Sequence, residues 1–102
     1  LLRRVYKRIR FLFPNAKVIF ALSTAVIEER EFPEFLRYNR EIEEYNKKAR
    51  EVMEELGVEV NDLYSITSAF DHSLYADAVH FNEDGSKILA DAVIKACLPD
   101  MK

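Results

Sequence analysis

The chain lacks the patterns that mark several large classes of protein. It has a single cysteine, Cys97, so it can form no internal disulfide and supplies no cysteine-based zinc site. No apolar run reaches membrane-spanning length, and the first residues show no signal-peptide pattern. Internal repeats and low-complexity segments are also missing. We therefore expect a soluble protein without a membrane partner, and we favour the cytoplasm as its compartment.

The composition indicates one small globular domain. Hydrophobic residues make up 49% and charged residues 32% of the 102 residues, which is typical of a folded soluble protein. The net charge is -3 and the two signs are interspersed, so we expect no nucleic-acid partner. The basic residues near the start alternate with apolar ones, which favours the wet face of an amphipathic helix over a phosphate- or membrane-binding helix.

The beginning of the chain predicts that polypeptide precedes it. The first two residues, Leu1 and Leu2, already belong to a helical pattern, and there is no initiating methionine. Domains more often begin with a few polar, poorly ordered residues. We therefore expect residues 1–102 to be the C-terminal portion of a single domain.

Apolar periodicity and breaking residues predict six elements along the chain. They are a helix over 1–13 ended by Pro14, a strand over 17–22, a helix over 39–56, a strand over 58–60, a helical turn over 65–69, and a helix over 83–97 closed by Pro99. Asn39 is predicted to cap the second long helix and Gly57 to end it. The predicted inward face of that helix comprises Ile42, Tyr45, Ala49, Val52, Met53 and Leu56.

This order of elements predicts an α/β fold with a parallel sheet. Two strands do not make such a sheet alone, so we expect the trailing half of a doubly wound domain with apolar strand surface uncovered. The loop over 23–37 follows the first strand at the edge where α/β proteins bind ligands, which makes Ser23 and Thr24 candidate pocket residues. The alternative is that they are small residues that end a strand.

The most informative stretch of the sequence surrounds Asp77 and His80. The carboxylate precedes the histidine by three residues, and a helix start over 82–85 follows directly. A carboxylate that bonds one imidazole nitrogen fixes the tautomer, which leaves the other nitrogen able to accept a proton from a serine hydroxyl. An acid and a base of this kind are two members of a nucleophilic triad. The alternative for His80 is a histidine that caps the last helix or bonds within a loop.

Residues 77–85, Asp-Ala-Val-His-Phe-Asn-Glu-Asp-Gly, are followed by Ile88-Leu89-Ala90. This block resembles the last conserved block of the SGNH, or GDSL-like, hydrolases, which are esterases and acylhydrolases. The resemblance extends back through residues 14–20, 45–50 and 56–64. It implies a three-layer α/β/α sandwich with a flavodoxin-like parallel sheet, of which the chain is the C-terminal part.

The resemblance also implies the chemistry. His80 would be the general base and Asp77 the acid that orients it, acting on a small-molecule or carbohydrate ester without a cofactor or metal. The family's nucleophilic serine lies in a Gly-Asp-Ser block, and its oxyanion hole uses that block and others before it. None of these blocks is present, because no serine of this chain has that context: Ser23, Ser65, Ser68, Ser73 and Ser86. Residues 23–26 also depart from the Thr-Pro-Val often found after the corresponding strand.

Two further hypotheses of different classes stay open at this point. One is a metal site, because carboxylates and imidazoles are metal ligands and four of them are close in sequence. Those four are Asp71, His72, Asp77 and His80. The other is a non-catalytic fragment or self-associating interaction module, because the chain alone cannot complete a triad and a fold does not imply activity.

Overall fold

The structure, a computed structural model, describes residues 1–30 and 37–98. The elements over these residues are four α-helices and two β-strands, with 3-10 turns at Glu28–Arg30 and His72–Leu74. They are α1 (Leu2–Leu12), β1 (Ile19–Ala21), α2 (Asn39–Leu56), β2 (Glu59–Asn61), α3 (Leu63–Ser68) and α4 (Glu83–Cys97). Pro99 and part of the loop over 23–37 lie outside the described residues.

The two strands form a small parallel sheet, which confirms the α/β class. Ile19 pairs with Glu59 and Ala21 with Asn61, and α2 provides the crossover between the strands. Strand β1 is shorter than the predicted range 17–22, whereas β2 has the predicted length and begins one residue later than expected. The β1 residues are half-buried or exposed, not buried on both faces as in a larger parallel sheet. The difference follows from the small sheet, since each strand has one neighbour and little of the described chain covers it.

Helix α2 begins and ends where the sequence predicts, but Asn39 is not its cap. Tyr38 occupies the N-cap position, and the Asn39 side chain instead bonds to the backbone of Val26. At the other end, Gly57 adopts the left-handed conformation with φ of 72°, and its N–H closes the last turn. The C-terminal prediction is confirmed because a glycine signal is local. The N-terminal prediction is wrong because the side-chain amide of Asn39 bonds to the backbone of Val26 instead of capping the helix.

The buried face of α2 differs from the predicted one at a single turn. Ala49 and Met53 are buried as expected, whereas Tyr45 is 48% exposed and Asn46 is buried in its place. Asn46 faces inward because its side-chain amide bonds to the backbone of Ser23. A buried amide is tolerated where both of its polar atoms are paired.

Helix α1 lies beside α2 and is only partly covered. Arg3 Nε donates to Glu55 Oε2 at 2.6 Å, and a cavity of about 110 Å³ remains where α1 meets β1 and Met53. No α1 residue is fully buried, and apolar side chains are open at both ends of the helix, with Leu1 92% exposed at its N-terminus. Those that follow the last basic residue are Phe11, Leu12 and Phe13, which are 51–75% exposed.

Apolar periodicity predicts an inward face for helix α4 at residues 88, 89, 92, 93 and 96, and the structure covers only part of it. Leu89, Ala92 and Ala96 are half-buried, while the flanking Ile88 and Val93 are exposed. Ile94 and Leu98 are also about half exposed, which leaves apolar area on more than one side of the helix. The fold therefore has a covered core around α2 and two open apolar helices. Within the residues that the structure describes, no helix combines the length and the apolar character that a bilayer span requires.

Candidate active site

The loop over 76–80 is a closed hairpin between α3 and α4. Tyr75 and Phe81 form an antiparallel bridge at its base, and the Ala76 N–H donates to the His80 carbonyl at 2.8 Å. Asn82 then caps α4, because its Oδ1 accepts the Gly85 N–H at 3.0 Å. The helix start predicted over 82–85 is thereby confirmed, and it fixes the exit of the loop.

Asp77 and His80 meet inside this loop. Asp77 Oδ1 accepts the backbone N–H groups of Val79 at 2.8 Å and His80 at 2.7 Å. Its Oδ2 lies 2.9 Å from His80 Nδ1. Both side chains are open to solvent, with 54% of Asp77 and 76% of His80 exposed. The spacing of three residues thus gives a carboxylate that is held by backbone N–H groups and bonded to one nitrogen of the imidazole.

The N–H donors around Asp77 decide its charge and the tautomer of its partner. The backbone N–H of His80, the N–H of Val79 and the His80 side chain together lower the pKa of Asp77 from 3.8 to about 2. An ionised carboxylate only accepts hydrogen bonds, so the proton in the bond lies on Nδ1 of His80. In the neutral imidazole Nε2 then carries the lone pair, and it bonds to no group in residues 1–30 or 37–98.

An aromatic cluster and a glycine pack at the base of the loop over 76–80. The rings of Tyr75 and Phe81 lie 4.6 Å apart between centroids, and Phe70 packs edge-on against Phe81 at 5.7 Å. Gly85 is buried beside Phe81. A Cβ added at Gly85 would collide with the Leu74 carbonyl oxygen and lie 3.2 Å from the Phe81 Cβ. A side chain at this position would therefore push α4 away from the loop.

The segment over 23–27 runs beside the loop at the carboxyl edge of the sheet. The Ile27 N–H donates to the Ala78 carbonyl at 2.9 Å. Ser23 bonds instead to Asn46, and it lines a cavity of about 330 Å³ against α2 that contains no residue of the loop. Thr24 is half-buried. The role of Ser23 and Thr24 in a substrate pocket stays a prediction.

The four-residue metal hypothesis is wrong for the geometry of the described residues. Of Asp71, His72, Asp77 and His80, only the last two come together, and no three acidic, histidine or cysteine side chains in the described ranges gather as ligands. The reason is local, because Asp71 Oδ1 accepts the Ser73 N–H at 2.8 Å to cap its own turn. His72 lies in that turn, exposed as a surface residue.

A comparison of the amino-acid sequence with protein-family models finds a match. The model of the GDSL-like Lipase/Acylhydrolase family matches residues 1–88, which is most of the chain. The chain belongs to the GDSL-like lipase/acylhydrolase family. The family is one of ester hydrolysis in general, and the matched range includes the hairpin that carries Asp77 and His80. Neither the curated proteins nor the solved structures contain a match to the chain.

Several residues around the site of this GDSL-like chain carry no signal in apolar periodicity. Asn46, Thr67 and Tyr75 are buried with their polar atoms bonded to the segment over 23–27. A polar residue in the middle of a predicted apolar face, such as Asn46 beside Ala49, is the available sign that an amide is needed inside. Thr67 and Tyr75 offer no comparable sign.

The first prediction concerns Gly85. Replacing it with alanine, Gly85→Ala, is expected to lower the free energy of unfolding by about 1–3 kcal/mol, because the new methyl group collides with backbone that cannot rotate away. Urea denaturation measures the change. Ser86→Ala, at the exposed neighbouring position, is the matched control and should stay within about 0.5 kcal/mol. Equal stability of Gly85→Ala and Ser86→Ala would contradict the predicted collision.

The second prediction concerns the titration of Asp77. Its folded pKa lies below its ordinary value of 3.8, so its ionised form stabilises the loop fully above that pH. This contribution is lost as the pH falls from 3.8 towards about 2. A carboxyl-carbon NMR titration should give a midpoint at about 2, and Asp77→Asn should flatten the pH dependence of stability in that window. A midpoint near 3.8 would show that the two backbone N–H bonds are not maintained.

Proposed function

We propose that this chain supplies the base and the orienting acid of a serine esterase that works through an acyl-enzyme. The observation that carries the proposal is the 2.9 Å contact between Asp77 Oδ2 and His80 Nδ1, with the other imidazole nitrogen open. Membership of the GDSL-like family supports ester hydrolysis as the reaction class. Within the proposal the domain is a three-layer α/β/α sandwich with a flavodoxin-like sheet, and residues 1–102 are its C-terminal portion.

The proposed steps use the two ring nitrogens of His80 in different roles. Nε2 takes the proton of a serine hydroxyl as its oxygen attacks the ester carbonyl, and the imidazolium then donates that proton to the departing alcohol. In the second half-reaction Nε2 deprotonates a water molecule, whose oxygen attacks the acyl carbonyl. The acid is released when the bond to the serine oxygen breaks and the imidazolium returns the proton to that oxygen. Asp77 remains ionised throughout and stabilises the imidazolium through the Nδ1–H bond.

The proposal requires a nucleophile from outside these 102 residues, because no serine of the chain has the Gly-Asp-Ser context. The open apolar side chains of α1 and α4 support a partner surface at the same time. We propose that the remainder of a hydrolase domain covers them and supplies the serine and the oxyanion donors. Self-association of the chain, as an interaction module, is the competing proposal. The substrate class is a small-molecule or carbohydrate ester, such as an acetyl or other short acyl group.

The third prediction tests the two roles in the complete, assembled enzyme. His80→Ala is expected to lower kcat by about 10⁶-fold, because no other group takes the serine proton. Asp77→Asn is expected to lower kcat by about 10⁴-fold, because the amide can donate to Nδ1 and so stabilise the tautomer with its proton on Nε2. Ester hydrolysis with a chromogenic acetyl ester measures both, and circular dichroism checks that folding is retained.

The chain offers a matched control for each substitution. His72→Ala removes the second histidine, and Asp71→Asn alters a second carboxylate that caps its own turn. Neither residue contacts the Asp77–His80 pair through any hydrogen bond in the described ranges, so activity should be retained in both. Full activity of His80→Ala would overturn the proposal. Near-normal rates in Asp77→Asn would show that another group orients the imidazole.

The fourth prediction concerns the open apolar surface. Purified alone, the chain is expected to give a mass above the 11.9 kDa of a monomer in light scattering, because exposed apolar side chains associate in water. Ile94→Gln, on the half-exposed side of α4, should shift the population towards monomer, whereas Ala90→Gln on the same helix should not. A stable, monodisperse monomer of the unsubstituted chain would contradict the proposed contact surface.

A further inference from the structure

The backbone over 23–27 is bonded by side chains in the way that a neighbouring strand would bond it. Asn46 pairs with Ser23 at both polar atoms, since its Oδ1 accepts the Ser23 N–H and its Nδ2 donates to the Ser23 carbonyl, each at 3.0 Å. Asn39 pairs with Val26 in the same two-bond manner, each at 2.9 Å. The segment leaves the sheet after β1 and is bonded to these side-chain amides in place of a strand.

Ala25, between the two amide pairs, is held from opposite sides by two hydroxyl groups. Its N–H donates to Thr67 Oγ1 at 2.9 Å, and its carbonyl accepts the Tyr75 hydroxyl at 2.7 Å. Ala25, Thr67 and Tyr75 are 4%, 2% and 6% exposed, so water does not replace a lost partner easily. We call Thr67 and Tyr75, with the Ala25 backbone between them, the Ala25 clamp.

The Ala25 clamp connects directly to the hairpin with the acid and the base. Tyr75 is the residue that pairs with Phe81 to close the hairpin. Two residues beyond Ala25, the Ile27 N–H bonds to the carbonyl of Ala78, which lies between Asp77 and His80 and is 8% exposed. The hairpin is therefore attached to the segment at its base and near its tip.

We propose that Tyr75 and Thr67 are positioning residues for the Asp77–His80 pair, acting through Ala25, Ile27 and the Ala78 carbonyl. The inference rests on the function proposed above for the roles of Asp77 and His80, and it deepens that function by naming what holds the pair. Neither hydroxyl bonds to Asp77 or His80. Their effect comes from a fixed segment against which the hairpin is bonded. An exposed pair needs such external support, because solvent does not confine it.

Two substitutions remove one hydroxyl each while keeping the shape of the side chain. Tyr75→Phe retains the ring that packs on Phe81, and Thr67→Val retains the branched side chain. Thr67→Ser keeps the hydroxyl and serves as the conservative rescue. Tyr6→Phe, on α1, is the distant control, since it also removes a phenol that takes part in one hydrogen bond, the one donated by Arg10.

Amide hydrogen exchange of the 102-residue chain provides a readout that does not depend on ester hydrolysis. In Tyr75→Phe and Thr67→Val, exchange at the amides of Ile27, Val79 and His80 is expected to accelerate about tenfold. Exchange in the middle of α2, at Met53, should be unchanged. Thr67→Ser and Tyr6→Phe should resemble the unsubstituted chain. In the assembled enzyme the first two variants should lower kcat about tenfold with KM unchanged.

The possible outcomes separate the two proposals. Unchanged exchange at Val79 and His80 in Tyr75→Phe and Thr67→Val would overturn the positioning role, whatever the enzyme assay shows. Equal acceleration at Met53 would also overturn it, because the hydroxyls would then stabilise the whole fold. Localised acceleration together with a normal kcat would overturn it as well. Localised acceleration in a chain whose assembled form hydrolyses no ester would retain the mechanical coupling and refute the esterase function.

Discussion

The structure depends on the need to satisfy the backbone of one segment after it leaves the sheet. Leu22 still donates to Asn61 beyond the last strand pair, but the residues after it have no strand beside them in the described chain. Buried N–H and carbonyl groups without partners are costly, so other groups must replace the strand. Side-chain amides from α2, a hydroxyl from α3 and a phenol from the hairpin form the hydrogen bonds that a neighbouring strand would otherwise form. The ends of these elements are thereby drawn to one edge of the sheet.

The same requirement explains how an exposed acid–base pair can be ordered at all. A surface ion pair contributes little by itself, because water screens it and two side chains lose freedom in forming it. Asp77 relies mainly on backbone N–H donors, and the largest influence on its pKa is the N–H of His80 rather than the imidazole. The order of the pair thus comes from the conformation of the hairpin. Covering the site would exclude water and strengthen the imidazole contact further.

Local signals in the sequence predict the helices well and the buried polar groups poorly. The end of α2 at Gly57 and the start of α4 at Asn82 follow from residues that act on their own backbone. The inward turn of Asn46, the outward turn of Tyr45 and the rotation of Asn39 towards Val26 depend on the segment over 23–27, which is distant in sequence. Periodicity is read from the spacing of apolar residues. It therefore gives no sign of a buried side-chain amide whose hydrogen bonds replace those of a neighbouring strand.

Under the proposed function, the chain needs a nucleophile from elsewhere, and its helices α1 and α4 leave apolar side chains open. Within the described residues β1 pairs with β2 on one side only, which leaves its other edge for a further strand. A parallel strand added there would end at the edge where the segment over 23–27 and the hairpin lie. Whatever group follows that strand would therefore leave the sheet at the edge where the hairpin with His80 is bonded to the segment. In the proposed function, the remainder of a hydrolase domain therefore meets both needs, because the same polypeptide covers the apolar helices and brings a nucleophile to the base.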